Sequence, residues 1–526
     1  MMSNTSAGGG KSLIPFLSSG DVGGMAYAIA NNIVNFIIVI VTLKGLMWPD
    51  SIIFYRVIPG MAIGLMCSGI YYAWMAHRLS KKEGRGDVTA LPSGVSTPAM
   101  FVFLFGVVTP LHYILEDPEL VWQASVAACF IGGFIEFLGG FIGPWLKKNL
   151  PRAAMLGTIA GIGFIWMATQ GFFDVYGDPI LGLPIMALAV MGLFGGFLLP
   201  KKISPFVAAI LGGIVYAFAL GRLHPDLSGI GPAFPNPLTT IPAIFNGFSL
   251  VAPFLTVVIP IEIYNFVETM DNVESANAAG DNYNVREAQF ADGICTMISA
   301  LFGGIIPNTV WLGHPGLKKA KAGASYSWIS GIVLGLAGVF GIFSLLASIV
   351  PPAVCAITFL WCAVIMVAQG FKEVKTKHYA ALAIAMVPSI ADYLYTQISG
   401  ALGVAEIWAE TQANGLPGYA AEISELLIAN GTMWNGVPAV KAGAIIIGLV
   451  WGAATAFIID RQLNKAGITF AVAAVLSLFG FIHRANLEFA WNSPFVTGYV
   501  IIAVMCFVLA LGKDKWFKAP DDFNYI

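Results

Sequence analysis

The most informative shortage in this sequence is charge. Only 11% of the 526 residues are Asp, Glu, Lys or Arg, while 57% are hydrophobic. A soluble domain carries about a quarter charged residues, so this composition predicts a polytopic membrane protein in a lipid bilayer. The net charge of −2 excludes the strongly basic surface that a nucleic-acid partner would require.

Other absences narrow the class further. The six cysteines are scattered through apolar segments without paired spacing, so we expect no disulfides, no metal and no cofactor. The polar, glycine-rich N-terminus lacks a basic region followed by a cleavage site, and we expect no signal peptide. No HExxH, GxSxG or Walker sequence is present, which indicates neither an enzyme nor an ATP-driven pump.

Long apolar segments are plentiful. Sixteen of them approach the roughly 20 residues that a membrane-spanning helix needs, although several are weak. They lie near residues 24–47, 52–76, 90–115, 120–145, 151–173, 179–199, 203–221, 251–276, 287–305, 308–324, 326–349, 352–371, 378–397, 441–460, 467–483 and 495–511. Two longer segments, 222–250 and 398–440, are predicted to connect spans on the outer side.

The basic residues give the orientation. If the N-terminus is inside, Lys11 and the segments that follow the even-numbered spans hold 22 of the 27 Lys and Arg residues. Cytoplasmic loops of membrane proteins collect these residues. We therefore predict a cell (inner) membrane protein with both tails, 1–23 and 512–526, in the cytoplasm.

Two spans are poor helices. The third begins TALPSGVSTPAMF and the tenth begins GIIPNTVWLGHPGLKK; in each, one proline opens a β-tolerant stretch and a second, Pro98 or Pro315, suits the first turn of a helix. We predict half strand and half helix, which is tolerated at membrane depth only beside protein or a water-filled cavity. Interrupted spans at matching positions indicate two inverted seven-span repeats and a transporter's binding site.

The eighth span contains the acidic stretch YNFVETMDNVESA, residues 264–276. Glu268, Asp271 and Asn272 fall on one helical face, and carboxylates are costly in a bilayer. We therefore expect this face to line the site, where helix N-termini supply N–H donors. A ligand with both C=O and N–H edges, such as a nucleobase, fits this combination, whereas Glu268 would repel a simple anion unless it were protonated.

The stretch ETMDNVESANAAGDNYNVREAQFADGICTMISALFGGIIPNT resembles the nucleobase–ascorbate transporter family, which includes bacterial uracil and xanthine permeases. The likeness extends more weakly over residues 20–460. It implies an all-α fold of fourteen spans in two inverted repeats, and alternating access by an elevator-like motion. The core domain would comprise 24–145 and 251–349, and the gate domain 151–221 and 352–460. The last two spans, 467–511, are extra and could pack on the gate or form a homodimer contact.

The resemblance also implies roles for particular residues. Glu268 matches the eighth-span glutamate that binds the base, and it is also the residue expected to carry the coupling proton (or sodium as the alternative ion). Asn272 falls where the uracil permease has a histidine. The backbone of Ser93, Gly94 and Val95 matches the strand that lines the site.

One departure concerns the tenth span. The family expects a second glutamate after the PNT sequence, and Gly313 and His314 stand here in place of Glu and Asn. His314 could replace the lost carboxylate as donor or acceptor, or could be satisfied by backbone. Asp271 and Glu136 are supporting candidates; Glu136 could pair with His314, orient the site or be structural. A proton-coupled nucleobase permease is the first hypothesis, and a sulfate- or carboxylate-type anion transporter of the same fold is the alternative.

Overall fold

The structure, a computed structural model, describes residues 13–193, 205–223, 230–311, 313–349, 351–411, 436–484 and 487–512, with a few isolated positions between them. These residues form helices and one two-stranded sheet. Eight of the described helices are long and apolar enough to cross a membrane. The predicted all-α polytopic class is confirmed.

In the first half of the chain, the described residues form seven helices and one strand. They are α1 (Asp21–Gly45), α2 (Asp50–Glu83), β1 (Ser93–Val95), α3 (Thr97–Leu115), α4 (Pro118–Asn149), α5 (Arg152–Gly177), α6 (Pro179–Leu193) and α7 (Pro205–Ala219). Helices α2, α3 and α5 each include one π-helical turn.

In the second half, the described residues form twelve α-helices and the second strand. They are α8 (Pro237–Val251), α9 (Leu255–Ala278), α10 (Val285–Leu301), β2 (Asn308–Val310), α11 (His314–Lys319), α12 (Ser325–Val339), α13 (Ile342–Ile349), α14 (Pro352–Glu373), α15 (Tyr379–Thr411), α16 (Val437–Lys441), α17 (Ala444–Ile459), α18 (Leu463–Leu478) and α19 (Pro494–Gly512).

The two interrupted spans have the predicted form. Strand β1 precedes α3, and strand β2 precedes the short α11. Pro98 and Pro315 both lie in the first turn of the helix that follows, where the missing N–H has no intrahelical partner to lose. The side chain of Ser96 caps α3 by accepting from the Ala99 amide. The strands pair antiparallel, with Gly94 opposite Thr309.

The two long connections differ from the sequence expectation. Segment 222–250, predicted only as an outer connection between spans, contains most of α8, because the Asn236 side chain caps the helix and Pro237 occupies its first turn. The start of segment 398–440 continues α15 as far as Thr411, and residues 412–426 of it lie outside the described residues.

The chain divides into two compact units. Unit 1 comprises residues 1–145, 184–252 and 261–355, and unit 2 comprises residues 146–183, 253–260 and 356–526. All the predicted site residues fall in unit 1. The core and gate boundaries proposed from the family remain a prediction.

The extra C-terminal hairpin, α18 and α19, lies in unit 2 and packs on α17. The ring of Phe470 meets Trp451 at 5.2 Å between centroids and stacks on Tyr499 at 6.3 Å. Gly467 lies against the ring of Phe507, where a methyl group would lie 2.8 Å from the nearest ring carbon. The hairpin is therefore joined to the fourteenth predicted span by aromatic packing.

Candidate functional site

Strand β1 is held on its outer edge by two asparagines of α1. The amide nitrogen of Val95 donates to Asn32 Oδ1 at 3.1 Å, and Asn35 Nδ2 donates to the Val95 carbonyl at 3.3 Å. Gly94 is required there, because a Cβ at that position would lie 2.3 Å from Asn32 Oδ1. Side-chain amides thus supply the hydrogen bonds that an interrupted span cannot make with its own backbone.

Strand β2 is held in the same way by α9. Asn265 Nδ2 donates to the Asn308 carbonyl at 3.1 Å, and Asn272 Nδ2 donates to the Val310 carbonyl at 2.7 Å. These asparagines are seven residues apart, so they lie on one face of the helix. Asn272, a residue predicted to bind substrate, therefore holds the strand through its amide nitrogen.

Glu268 lies beside this strand-binding face of α9, four residues before Asn272. The side chain is only partly buried, and the hydroxyl of Tyr264, one turn earlier, is its hydrogen-bonding neighbour. Its Oε2 atom is buried and has no hydrogen-bond partner within the described residues. Asp271 follows on the same side of the helix and is also half-buried. Glu268 therefore presents an acceptor next to the interrupted backbone.

A fully buried polar network lies between α2, α4, α9, α10 and β2. Its centre is Asp292, whose Oδ2 accepts from Thr269 Oγ1 and from the Val310 amide, each at 2.8 Å. The Tyr72 hydroxyl donates to the other oxygen. Thr269 Oγ1 is also 3.4 Å from Glu136 Oε1. Glu136 thus reaches β2 through Thr269 and Asp292.

His314 has different neighbours from those suggested by the sequence. Its Nε2 atom lies 3.0 Å from the Thr89 carbonyl and 3.0 Å from Asp281 Oδ2. The contacts of Glu136 in the described structure lead to Thr269, so the pair that Glu136 could form with His314 is not present. His314 instead fixes the start of α11 to the loop between α9 and α10.

The ion pairs at that loop centre on Asp281, which is fully buried. Lys318 Nζ and Arg85 Nη2 each lie 2.6 Å from Oδ1. Burial acts to raise the pKa of Asp281, but hydrogen bonds from His314, Lys318, the Thr89 amide and Arg85 outweigh it and hold the pKa well below its usual value. Lys318 is therefore occupied by an acidic partner.

The stretch that replaces the second family glutamate has one notable donor. Trp311 is buried, and its Nε1 atom has no hydrogen-bond partner in the part of the chain that the structure describes. Its ring meets Tyr27 of α1 edge to face at 5.2 Å. Gly313 follows with φ of +150°, in the region that favours glycine. The Ser93 hydroxyl points to Ser68 at 3.1 Å.

The structure therefore collects most predicted residues around the strand pair. Ser93, Gly94 and Val95 form β1, while Glu268, Asp271 and Asn272 lie on α9 beside β2. Sequence reasoning missed the strand-binding roles of Asn32, Asn35 and Asn265, and the hydrogen bonds that Thr269 and Tyr72 donate to Asp292. The one available signal was the polar triplet in AIANNIVNFII, where asparagines interrupt an otherwise apolar span.

Apolar helices of membrane-spanning length and two paired, interrupted spans are the features of a membrane permease. Residues 61–390 match the xanthine/uracil permease model, described as the Permease family. The match covers more than half of the chain, which therefore belongs to this family, the nucleobase–ascorbate transporters. Membership carries the fold of two inverted seven-span repeats. No curated protein matches the chain.

Several solved structures are similar at low identity. The transmembrane domain of a cyanobacterium bicarbonate transporter, BicA, is 15% identical with a TM-score of 0.49, over 72% of this chain and 96% of that one. SLC26A9 is 10% identical with a TM-score of 0.44, over 90% and 92%. The murine SLC26A9 anion transporter in the inward-facing state is 13% identical with a TM-score of 0.40, over 69% and 67%.

Proposed function

We propose that the protein is a secondary active transporter that takes up a nucleobase or a similar small heterocycle together with protons. The observation that carries this proposal is Glu268. One of its oxygens is buried beside the asparagines that hold β2 and has no hydrogen-bond partner among the residues that the structure describes. A buried acceptor left unpaired costs about 1–3 kcal/mol, which a ligand N–H group would recover.

The missing family glutamate need not abolish recognition of a base. The Trp311 indole N–H lies in the segment that replaces it and is a donor without a partner among the described residues. A heterocycle that donates to Glu268 needs acceptors of its own, and an indole N–H can serve one carbonyl group. The glutamate of the family is an acceptor, whereas the Trp311 indole N–H is a donor. This exchange predicts a ligand with more carbonyl groups on its edges than the usual substrates of the family.

Anion transport is the alternative, and the ion pairs of α11 weaken it. Lys318, the most buried lysine of the trio at 318, 319 and 321, is bound to Asp281. The charge that could draw an anion inward is therefore neutralised there. Glu268 would also repel an anion at the site.

The wider mechanism follows the family. The core domain, 24–145 and 251–349, would move like an elevator against the gate domain, 151–221 and 352–460, with both termini in the cytoplasm. Homodimer formation through the gate or the 467–511 hairpin is part of this proposal. Glu268 is one candidate carrier of the coupling proton.

The test is uptake into proteoliposomes. We expect labelled uracil, xanthine or adenine to accumulate under an inward proton gradient and Glu268→Gln to lose accumulation and binding. Glu274→Gln makes the same chemical change two turns nearer the end of α9 and should retain uptake. Binding can be checked separately, because a bound ligand raises the melting temperature of the purified protein.

Two results would contradict this function. Sulfate or dicarboxylate uptake without competition from any base would establish the anion alternative. Base uptake that survives in Glu268→Gln at the wild-type rate would show that the site lies elsewhere.

A further inference from the structure

Glu262 is a buried acid that the site described above does not use. Its side chain is fully buried on α9, and both carboxyl oxygens have no hydrogen-bond partner in the described part of the chain. Asn265, nearly one turn on, is the polar neighbour of this carboxyl group, but one of its two amide N–H groups is taken by the Asn308 carbonyl, and it forms no hydrogen bond of good geometry with either Glu262 oxygen. An ionised carboxylate in this position would be very costly, since buried charges need partners.

The carboxyl group of Glu262 faces α4. A Cβ built on Gly132 would lie 2.4 Å from Glu262 Oε1, so only glycine leaves room for the acid there. Glu136 follows one turn later on α4 and is also fully buried. Its Oε2 atom has no hydrogen-bond partner among the described residues, while Oε1 is 3.4 Å from the Thr269 hydroxyl.

Three fully buried acids therefore lie in unit 1, with Glu136 between Glu262 and Asp292 as its acidic neighbours. The other titratable groups that face them all become negative when they ionise: Glu268 on α9, Cys129 on α4, Cys295 on α10 and Tyr72 on α2. Asp292 alone is well supplied with donors. The other two acids require a positive charge or must be neutral.

A proton neutralises such an acid at a single carboxylate oxygen and needs no further ligand. No set of three or more His, Cys, Asp and Glu side chains in the described residues could hold a metal ion. Glu262 precedes Glu268 by six residues, about 9 Å along the helix, and faces α4. The unpaired oxygens are thus distinct from the proposed ligand acceptor.

We propose that Glu262 and Glu136 form a buried proton-holding site, separate from Glu268, and that protonation there couples transport to the proton gradient. This coupling role rests on the proposed transport function. A proton from the outer solution binds a carboxylate oxygen and makes the acid neutral. When the site opens inward, the proton leaves to water and the carboxylate forms again.

The first experiment needs no substrate. Infrared difference spectra of purified protein, recorded across a pH titration, detect the C=O stretch of protonated carboxylic acids. We expect wild-type protein to show such a band at neutral pH, and Glu262→Gln to lose part of it. Glu274→Gln, on the same helix, should keep the full band. An identical band in wild type and Glu262→Gln would overturn the assignment.

The second experiment separates coupling from substrate binding. Glu262→Gln mimics the protonated state permanently, so it should retain substrate exchange at equal pH but lose accumulation against a gradient. Glu268→Gln should lose both activities. Wild-type accumulation in Glu262→Gln would refute the coupling role. If that variant fails to fold, Glu136→Gln provides the same comparison.

The two failures can be told apart. If wild-type protein neither binds nor transports any base, the proposed function falls, while the infrared experiment still decides whether Glu262 holds a proton. If base transport is present and the Glu262→Gln band is unchanged, the proton site falls and the function stands.

Discussion

The loop that joins α9 to α10 offers a direct test of how the interrupted tenth span is fixed. Asp281 is fully buried and accepts from the Thr89 amide at 3.0 Å, from Lys318 at 2.6 Å and from Arg85 at 2.6 Å. His314 lies 3.0 Å from the same carboxylate. We predict that removing its charge by Asp281→Asn destabilises unit 1.

The magnitude follows from burial. Removing one partner of a buried ion pair costs about 3–5 kcal/mol, but the side chains of Lys318 and Arg85 are 19% and 26% exposed and can turn to water. We therefore expect about 2 kcal/mol for Asp281→Asn, which keeps an oxygen for Thr89. Asp281→Ala also removes that acceptor, which adds about 1–2 kcal/mol.

The pH dependence of this effect has a defined sign. Because the pKa of Asp281 is held below its usual value in the folded state, its ionised form stabilises the protein above the unfolded pKa of about 3.9. That contribution is lost as the pH falls through the folded pKa. The difference in the free energy of unfolding between wild type and Asp281→Asn should be constant near neutral pH and become smaller in acid.

Thermal unfolding of the detergent-purified protein, followed with a thiol-reactive dye, measures this difference in stability as a difference in melting temperature. Cys129 and Cys295 are free and buried in unit 1, so they react only on unfolding. A cost of about 2 kcal/mol corresponds to a drop of roughly 4–8 °C in melting temperature, on the scale found for domains of about 150–250 residues. Asp50→Asn is the control, because its pair with Lys44 is exposed at 3.7 Å and should matter little. An unchanged melting temperature, or a gap that widens in acid, would refute the reasoning.

Two further predictions concern the strands. Gly94→Ala should lower the melting temperature and reduce transport, because its methyl group would lie 2.3 Å from Asn32 Oδ1 and overpacking costs about 1–3 kcal/mol; transport and stability equal to wild type would contradict the close approach. Asn272→Ala should cost about 1–3 kcal/mol in unfolding experiments, since the Val310 carbonyl would lose its 2.7 Å donor. Wild-type stability in that variant would exclude the strand-holding role.

The sequence predicted the interrupted spans well because proline and glycine act locally. Pro98 and Pro315 mark helix starts regardless of what packs around them. Partners brought together by tertiary packing were not predictable in this way. His314 was a candidate for the site, yet its neighbour Asp281 is 33 residues away in sequence, and no periodic pattern connects the two.

The asparagines explain how a membrane protein can keep strands at that depth, and why the two repeats resemble each other there. Asn32 and Asn35 of the first span bond the outer edge of β1, and Asn265 and Asn272 of the eighth span bond the outer edge of β2. Spans one and eight are equivalent in two seven-span repeats. Side-chain amides can replace the missing helical hydrogen bonds because each carries both a donor and an acceptor. The contact that matches Asn272 in the first repeat is that of Asn35, since each donates its Nδ2 to the carbonyl of the strand's last residue, Val310 or Val95. The residue four before Asn272 is Glu268, whereas the residue four before Asn35 is Asn31. The acid at this position is therefore present in one repeat only, while the asparagines support the backbone in both.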